Sequence, residues 1–393
     1  MEKMQMRKRR GLILLLICAL YVSSLSGCSF AGKAGNLTVS GFAFDTTYTI
    51  SVYEGGDQEL LDSCIDLCND YEKIFSATRK DSELYAIDAI SQAYGKIKEE
   101  MDEQNISGTG RLKQADQKLR EYCETSDSQA VKDMSYLLDM DGRLSFQVSE
   151  EMQELIEKGL DYGSQTKGAF DISIYPVKRL WTFDQESHDV PEKSAVREAL
   201  KLVDYEKIHM DHGKLIFELP GAQIDLGGIA KGYIADRLKE YLVDGGVYSG
   251  LINLGGNILC IGKKRDGSKF RIGVQQPFAD RTDTIATLQI ANASIVSSGI
   301  YERYFKKNGV IYHHILDTTT GYPLQNGLLG VSVVAAESVD ADALSTSLFA
   351  MGLEEGLAWI NRKAGIEAVF ITQDEKLHYS SNFKALLDQE GTP

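Results

Sequence analysis

Asp342 and Thr346 have the side-chain types and the spacing of a small metal site. They lie four residues apart in the segment ESVDADALSTSLFAMG, residues 337–352, which predicts a helix capped near Ser338. Residues four apart share one face of a helix, so a carboxylate and a hydroxyl would stand side by side. These hard oxygen ligands suit Mg²⁺, which takes one or two protein groups and completes its shell with water or phosphate. An exposed Asp beside a Thr bonded to its own helix explains the pattern equally well, and Asp340 could equally be the ligand.

The segment AQIDLGGIAKGYIADRLKEYL, residues 222–242, predicts a strand, a glycine turn and an amphipathic helix. The strand would end at Asp225. Bare N–H groups at such a turn and at the helix N-terminus suit a phosphate, and Lys231 would add a cation beside it. The segment contains neither G-x-G-x-x-G nor a P-loop, so a turn that only packs has about equal support.

The segment YHHILDTTTGYP, residues 312–323, contains a candidate general base. Neutral His accepts protons near neutral pH, so His314 could take the proton of a hydroxyl group. A structural hydrogen bond is the commoner role for a single His on a strand. His313 and His314 would point to opposite faces of the strand, so one of them at most serves a given site.

Aromatic residues are concentrated in GAFDISIYPVKRLWTF, residues 168–183, which also contains Asp171. Phe170, Tyr175 or Trp181 could stack on an isoalloxazine or adenine ring, although aromatic residues more often belong to the core.

These segments require a scaffold of mixed strands and helices. Leu37 to Tyr53 alternates as strands do, and helices are predicted over about 57–75 and from Ser149 to Thr166. Residues 88–145 are rich in charged side chains with a thin apolar face, which favours a solvated helical insertion. We therefore predict an α+β fold over residues 37–393: one domain with mixed sheets, packed helices and this insertion.

The charge balance excludes one class of partner. The 393 residues include 42 Lys and Arg against 57 Asp and Glu, a formal net charge of −15. Phosphate backbones require clustered basic residues, and we find no basic stripe outside the first ten residues, so no nucleic-acid partner is expected. The composition, 43% hydrophobic and 25% charged, is typical of a globular protein and excludes disordered and fibrous classes.

The cysteines beyond residue 28 show no spacing for zinc. We interpret them as buried small hydrophobic residues, with a disulfide between two of them as the less favoured alternative. They are Cys64, Cys68, Cys123 and Cys260.

The N-terminus predicts export. Five basic residues precede an apolar run of about twelve residues, which is too short to span a bilayer and is typical of a signal peptide. The ending LSGC resembles the bacterial lipobox, whose Cys becomes the lipidated first residue. We therefore expect a signal over residues 1–27, lipidation at Cys28, a tether over 28–36, and an extracytoplasmic protein anchored to the cell membrane. Removal of the signal changes the net charge from −15 to −19, because five basic residues and Glu2 are lost.

The order of the motifs is more specific than any one of them. LSGC, DTTYTI, FSATRKDSEL, GAFDISIYP, IDLGGIAKGY, LINLGGNI, SSGIYERYF, HILDTTTGYP and DADALST together resemble the ApbE family, the FAD:protein FMN transferases. The match runs from about Ser40 to Gly352, and residues 88–145 lack a clear counterpart. The resemblance implies a Mg²⁺-dependent enzyme that splits FAD, attaches FMN through a phosphoester to a Thr or Ser of an exported flavoprotein, and releases AMP.

The resemblance also implies roles for individual residues. Metal ligands would be Asp342, Thr346 and a backbone carbonyl at Gly228, and His314 would assist the hydroxyl attack. Contacts to the flavin nucleotide would come from Phe44, Ala169, Phe170, Asp171, Asp225, Lys231 and Ile315.

Two alternatives stay open at this stage. Thr78 stands where transferring members often carry an aromatic residue, which leaves room for a Mg²⁺-dependent FAD pyrophosphatase that yields FMN and AMP. A non-catalytic flavin-binding lipoprotein would bind FAD without turnover, and it would leave Asp342, Thr346 and His314 without a role.

Overall fold

The structure, a computed structural model, describes residues 36–106, 110–183 and 188–388. The predicted signal, Cys28 and residues 29–35 of the predicted tether lie outside this part of the chain. From Asn36 onward the chain forms one compact unit. Within the described ranges, no helix has the length and apolar character needed to cross a membrane.

Sixteen strands are present in the described ranges. In chain order they are β1 Leu37–Ala43, β2 Thr46–Glu54, β3 Tyr136–Leu138, β4 Leu144–Gln147, β5 Ile208–Asp211, β6 Lys214–Phe217, β7 Ser249–Leu254, β8 Asn257–Gly262, β9 Phe270–Gln275, β10 Thr284–Ile290, β11 Ser294–Gly299, β12 Tyr304–Lys307, β13 Val310–His313, β14 Leu328–Ala335, β15 Glu367–Thr372 and β16 Leu377–Tyr379.

The helices alternate with these strands. They are α1 Gln58–Phe75, α2 Glu83–Glu103, α3 Arg111–Thr125, α4 Gln129–Asp133, α5 Glu150–Gln165, α6 Tyr175–Lys178, α7 Lys193–Leu200, α8 Ala230–Asp244, α9 Ser338–Met351 and α10 Leu353–Ile360.

The strands form one large antiparallel sheet and three smaller ones. The large sheet has the order β1-β2-β7-β8-β11-β14-β15-β16, and β3-β4-β6-β5 form a four-stranded sheet. The two remaining sheets are the hairpins β9–β10 and β12–β13. Together with the packed helices, this arrangement confirms the predicted α+β class, and the predicted helices over 57–75 and 149–166 correspond to α1 and α5.

Helices α8 and α9 pack against each other at the large sheet. Their contact is close because Gly232 has no side chain: a Cβ there would collide with the carbonyl oxygen of Ser338. At the same crossing, the Asp236 carboxylate of α8 accepts the N–H groups of Ser338 and Val339, both at 2.8 Å. A carboxylate from one helix therefore caps the N-terminus of the other.

The interpretation of residues 88–145 as a solvated insertion is wrong for its first part. Residue 88 lies inside α2, whose apolar stripe includes Ile90, Tyr94 and Met101, all of them fully buried. At its other end, β4 joins the four-stranded sheet through β6. The charged helix α3 lies between these core elements, and averaging over the whole segment hid the stripe of α2.

The four described cysteines are buried and free, as the interpretation of them as small hydrophobic residues requires.

Candidate active site

Asp342 and Thr346 lie together on α9, next to the glycine turn that precedes α8. The Asp342 Oδ2 atom accepts the Gly232 N–H at 2.9 Å and lies 3.8 Å from the Lys231 Nζ. A Cβ built on Gly228 would lie 3.7 Å from the Thr346 Oγ1. The three groups expected to hold a metal therefore converge from two elements that are about 110 residues apart in the sequence.

The donor set of this corner fits Mg²⁺. Asp342 is 3% exposed, and its Oδ1 atom accepts no hydrogen bond from any residue that the structure describes. A single carboxylate, one hydroxyl and a turn carbonyl leave positions for water or phosphate oxygen, as Mg²⁺ requires. No group of three or more His, Cys, Asp or Glu suited to a metal occurs within the described ranges. The carboxylate of Asp342 is therefore the anionic ligand that this corner offers.

Asp340, the alternative ligand, has other partners. Its Oδ1 atom lies 2.8 Å from the Lys158 Nζ and accepts the hydrogen of the Tyr162 hydroxyl, also at 2.8 Å. The Asp340 carboxylate is thus neutralised by a neighbouring helix, and the contacts favour Asp342.

Two ammonium groups flank the glycine turn. The Lys178 Nζ lies 2.6 Å from the Asp225 Oδ2, and the Lys231 Nζ donates to the Gly227 carbonyl at 2.9 Å. Burial raises the pKa of Asp225, but Lys178, the Gly227 N–H and Lys231 outweigh this effect and hold the pKa below its usual range. The turn therefore combines one ionised carboxylate with two cations.

Several N–H groups of the turn and of the start of α8 are already bonded within the protein, so the expectation of bare N–H groups holds for only part of the turn. The Gly227 N–H donates to Asp225 at 3.1 Å, and the Ile229 and Ala230 N–H groups donate to the Leu226 carbonyl. The Gly232 N–H donates to Asp342. The Gly227 and Gly232 N–H groups thus hold the carboxylates of Asp225 and Asp342 in place, and the two cations beside the turn can attract an anion. Residues 222–226 also form no strand; they are irregular up to the turn.

His314 follows β13 directly. Its Nδ1 lies 3.3 Å from the Arg303 carbonyl, which can only accept, so Nδ1 carries the hydrogen and Nε2 keeps its lone pair. Burial, then the nearby Lys178 charge, lowers the pKa of His314 to about 3. The ring is therefore neutral near pH 7 and weakly basic. His313 is directed elsewhere: its Nε2 binds the Leu324 carbonyl at 2.8 Å, and its ring packs on Phe349.

The residues of the GAFD stretch have different roles: Phe170 packs in the core, and Asp171 binds backbone N–H groups. Phe170 is buried, with its ring edge 3.2 Å from where a Gly228 Cβ would lie. The Asp171 carboxylate accepts the Ser173 N–H at 2.8 Å and the Tyr205 N–H at 3.2 Å. It therefore holds the local backbone, whereas Ala169 is partly exposed.

Among the aromatic candidates of this stretch, Trp181 belongs to a buried cluster. Its indole N–H donates to the Gly321 carbonyl at 3.0 Å. A role in the core accounts for this residue.

Phe44 lies in the turn between β1 and β2, and Ile315 lies two residues after the end of β13. Phe44 has a φ of 55° between β1 and β2, and its N–H donates to the Glu72 Oε1 at 3.0 Å. The Ile315 N–H donates to His313 Nδ1 at 3.3 Å, and its carbonyl accepts the Leu324 N–H at 3.1 Å. Direct contacts of these residues with a flavin stay predictions.

Sequence reasoning missed Lys178. It pairs with Asp225, 47 residues later, and no motif in the sequence connects the two. The available signal was a single Lys in the apolar run IYPVKRL, which by itself does not indicate a site.

Comparison with known proteins relates this chain to one family. The model of the ApbE family matches residues 105–370. An FAD:protein FMN transferase of Klebsiella pneumoniae is 38% identical over 242 residues, which cover 61% of this chain and 75% of the relative. The transferase of Treponema pallidum is 32% identical over 249 residues, covering 60% and 69%.

Solved structures show the same fold. The flavin transferase ApbE of Vibrio cholerae superposes with a TM-score of 0.70 at 25% identity, covering 90% of this chain and all of that one. The ApbE protein of Thermotoga maritima gives 0.70 at 26% identity, with the same coverage. From its sequence and its fold, the chain belongs to the ApbE family.

Proposed function

We propose that this protein is a Mg²⁺-dependent FAD:protein FMN transferase. It transfers FMN from FAD to a Thr or Ser hydroxyl of an exported flavoprotein and releases AMP. The observation that carries the proposal is the convergence of Asp342, Thr346 and Gly228 beside the ammonium groups of Lys178 and Lys231. In a chain related to transferases of this name, that corner is suited to a diphosphate.

The reaction exchanges one phosphorus–oxygen bond for another. The target hydroxyl oxygen forms a bond to the FMN phosphorus, and the bond from that phosphorus to the bridging oxygen breaks, so that AMP leaves with this oxygen. A bound Mg²⁺ would supply positive charge to the diphosphate oxygens. Lys231 and Lys178 lie where they can attract the same oxygens, and Asp342 and Thr346 would hold the ion.

His314 is suited to a supporting role. Its Nε2 lone pair can accept the hydroxyl proton, which then passes to solvent. Its low basicity limits this contribution, and a loose transition state requires little help from a base.

The direct test is incubation of the purified protein with FAD, Mg²⁺ and an exported protein that contains an FMN-binding domain. We expect fluorescent FMN on the denatured target, its mass increased by that of one FMN less one water, and an equal amount of AMP. FMN and AMP without labelled target would instead identify a pyrophosphatase. Bound FAD that is never consumed would identify a carrier.

We also propose that the mature protein is exported and anchored by a lipid on Cys28. The support is the N-terminal sequence pattern, which lies outside the described residues. Fractionation of cells that produce the wild-type or the Cys28→Ala chain tests it. The wild type should partition into detergent with a lipid-modified N-terminus, and the variant should lack that modification.

A further inference from the structure

One face of α2 contacts the irregular segment that leads into the glycine turn and holds it by hydrogen bonds and close backbone packing. The Asp88 Oδ1 accepts the Ile224 N–H at 2.8 Å, and the Ser91 hydroxyl donates to the Ala222 carbonyl at 2.5 Å. One turn further along, the backbone of Gly95 lies against Gly221, where a Cβ on Gly95 would be 2.8 Å from the Gly221 Cα. Positions three and seven residues beyond Asp88 share its helix face. We call Asp88, Ser91 and Gly95 the α2 clasp.

The gripped segment has no sheet neighbours to fix its position. Residues 222–226 lie in no strand. Besides the clasp, the Asp225 N–H donates to the Ile172 carbonyl at 2.7 Å, and the Gln223 side chain accepts from Arg179 at 3.2 Å. The location of Asp225 therefore depends on a few specific contacts. The clasp supplies the contacts to the residues that immediately precede Asp225 in the sequence.

The position of Asp225 in turn determines the position of groups in the candidate site. Its carboxylate binds both the Lys178 ammonium and the Gly227 N–H. A displacement of Ile224 would move Asp225, and with it the cation and the turn that face the diphosphate. An error of about 1 Å in such groups is enough to reduce catalysis substantially.

Asp88 itself is an unusual residue for a helix core. It is 2% exposed, and its Oδ2 atom has no hydrogen-bond partner among the described residues. Burial raises the pKa of Asp88 well above its ordinary value, so the group is suited to act as a neutral acceptor. An amide can replace a neutral carboxyl in this role, whereas an aliphatic side chain cannot.

We propose that the α2 clasp positions the glycine turn for the FAD diphosphate, with Asp88 as a positioning residue that acts through Ile224 and Asp225. This inference rests on the proposed function. Helix α2 precedes residue 105, where the match to the family model begins.

The test compares Asp88→Leu with Asp88→Asn and with Met101→Ala. Met101 is fully buried in the same helix, 13 residues further on and about 20 Å along its axis, so its truncation weakens α2 without touching the segment. Amide hydrogen exchange of residues 222–228, equilibrium binding of FAD and steady-state flavinylation are measured on each full-length protein.

We expect Asp88→Leu to speed exchange at Ile224 and Gly227 at least tenfold and to raise KM for FAD at least fivefold. Asp88→Asn should stay within about threefold of wild type in both measurements. Met101→Ala should lower Tm without either change. If Asp88→Leu does not fold, Ser91→Ala takes its place, with faster exchange at Ala222 to Ile224 and a raised KM expected.

Unchanged exchange in Asp88→Leu, or faster exchange with unchanged FAD binding and KM, would overturn the proposal. The same shifts in Met101→Ala would also overturn it, because they would reflect general destabilisation. A wild-type protein that binds FAD but labels no target would contradict the proposed transferase activity alone, since exchange and FAD binding still test the clasp.

Discussion

Asp342 and Asp340 are two residues apart on α9, yet their carboxylates have different surroundings. Asp340 is paired with Lys158 and Tyr162, whereas Asp342 has an oxygen that accepts no hydrogen bond within the described chain. The chemistry of the site therefore depends on which side of the helix each residue faces, and the sequence pattern alone had left both residues as candidates.

Asp342→Asn should reduce FMN transfer at least a hundredfold, because it removes the anionic ligand but keeps an acceptor for the Gly232 N–H. Transfer is measured by in-gel flavin fluorescence over a Mg²⁺ titration. Asp340→Asn is the matched control and should stay within about fivefold of wild type. Full activity in Asp342→Asn at low Mg²⁺ would contradict the metal assignment.

His314→Gln should cost less, about tenfold to a hundredfold in kcat, because the base is weak and the transition state is loose. The lowered pKa of His314, about 3, keeps the ring neutral throughout pH 5.5–8.5, so the wild-type rate should show no inflection near pH 6.5 from this residue. Rates of both proteins across this range check the prediction. An inflection near 6.5 that the variant lacks would contradict it.

Residue patterns predicted part of the site. The four-residue spacing predicted that Asp342 and Thr346 share one helix face, and the glycine turn predicted a cation, Lys231, beside it; the contact of Lys231 with Asp342 was not predicted from the pattern. Lys178 and the clasp could not be predicted, because their contacts with the 221–225 segment depend on tertiary packing between distant parts of the chain. A local sequence pattern identifies the apolar face of a helix or strand, but it does not identify which other element packs against that face.

At the level of elements, the start of α9 depends on a carboxylate from α8. Asp236 accepts two N–H groups there, and burial, aided by Glu337 and opposed by those N–H groups and Lys239, raises the pKa of Asp236 to about 6. The folded protein thus binds this proton more tightly than the unfolded chain does. The resulting stabilisation is complete below the unfolded pKa of 3.8 and is lost as pH rises through 6.

Asp236→Asn removes this titration. The free energy of unfolding of wild type relative to the variant should fall by about 2 kcal/mol between pH 4.5 and pH 7. Urea unfolding of both proteins at several pH values measures the difference. The contributions of other carboxylates to the free energy of unfolding cancel in the comparison. A difference that is constant with pH, or that grows as pH rises, would disprove the assignment.

Elements were predicted unevenly. The first hairpin, α1 and α5 follow from strong alternation or helical periodicity in short windows. Helix α2 was misjudged because its apolar stripe was averaged with the charged α3, whose buried residues are Ala115, Leu119 and Cys123. The error at α2 shows that a periodic pattern is most reliable when each candidate element is examined separately.

For the whole molecule, the absence of disulfides among the described cysteines has a measurable consequence. Burial raises the pKa of Cys64, Cys68 and Cys260 to about 12, so these thiols are protonated and unreactive in the folded protein. A reducing agent should therefore leave Tm within 1 °C of its value in oxidising buffer. Calorimetry with and without dithiothreitol checks this, and a fall of several degrees would indicate a disulfide.

Charged residues are less evenly distributed over the molecule than its net charge suggests. Beyond the first ten residues, five basic residues lie close together in the sequence around the loop between β8 and β9. They are Lys263, Lys264, Arg265, Lys269 and Arg271. Some of them line a groove of about 390 Å³ together with Tyr53 and Phe270. The absence of a nucleic-acid partner stays a prediction that rests on the net charge.

The bond between Gly232 and Asp342 joins residues 110 positions apart, and one of the two ammonium groups that flank the turn, that of Lys178, comes from a third segment. No short stretch of the described chain therefore contains all the groups of the candidate site. If the chain is exported unfolded, as the proposed signal implies, the site would form only after translocation. FAD would then have to be available on the outer side of the membrane, and its supply there would limit how much target protein the proposed transferase could label.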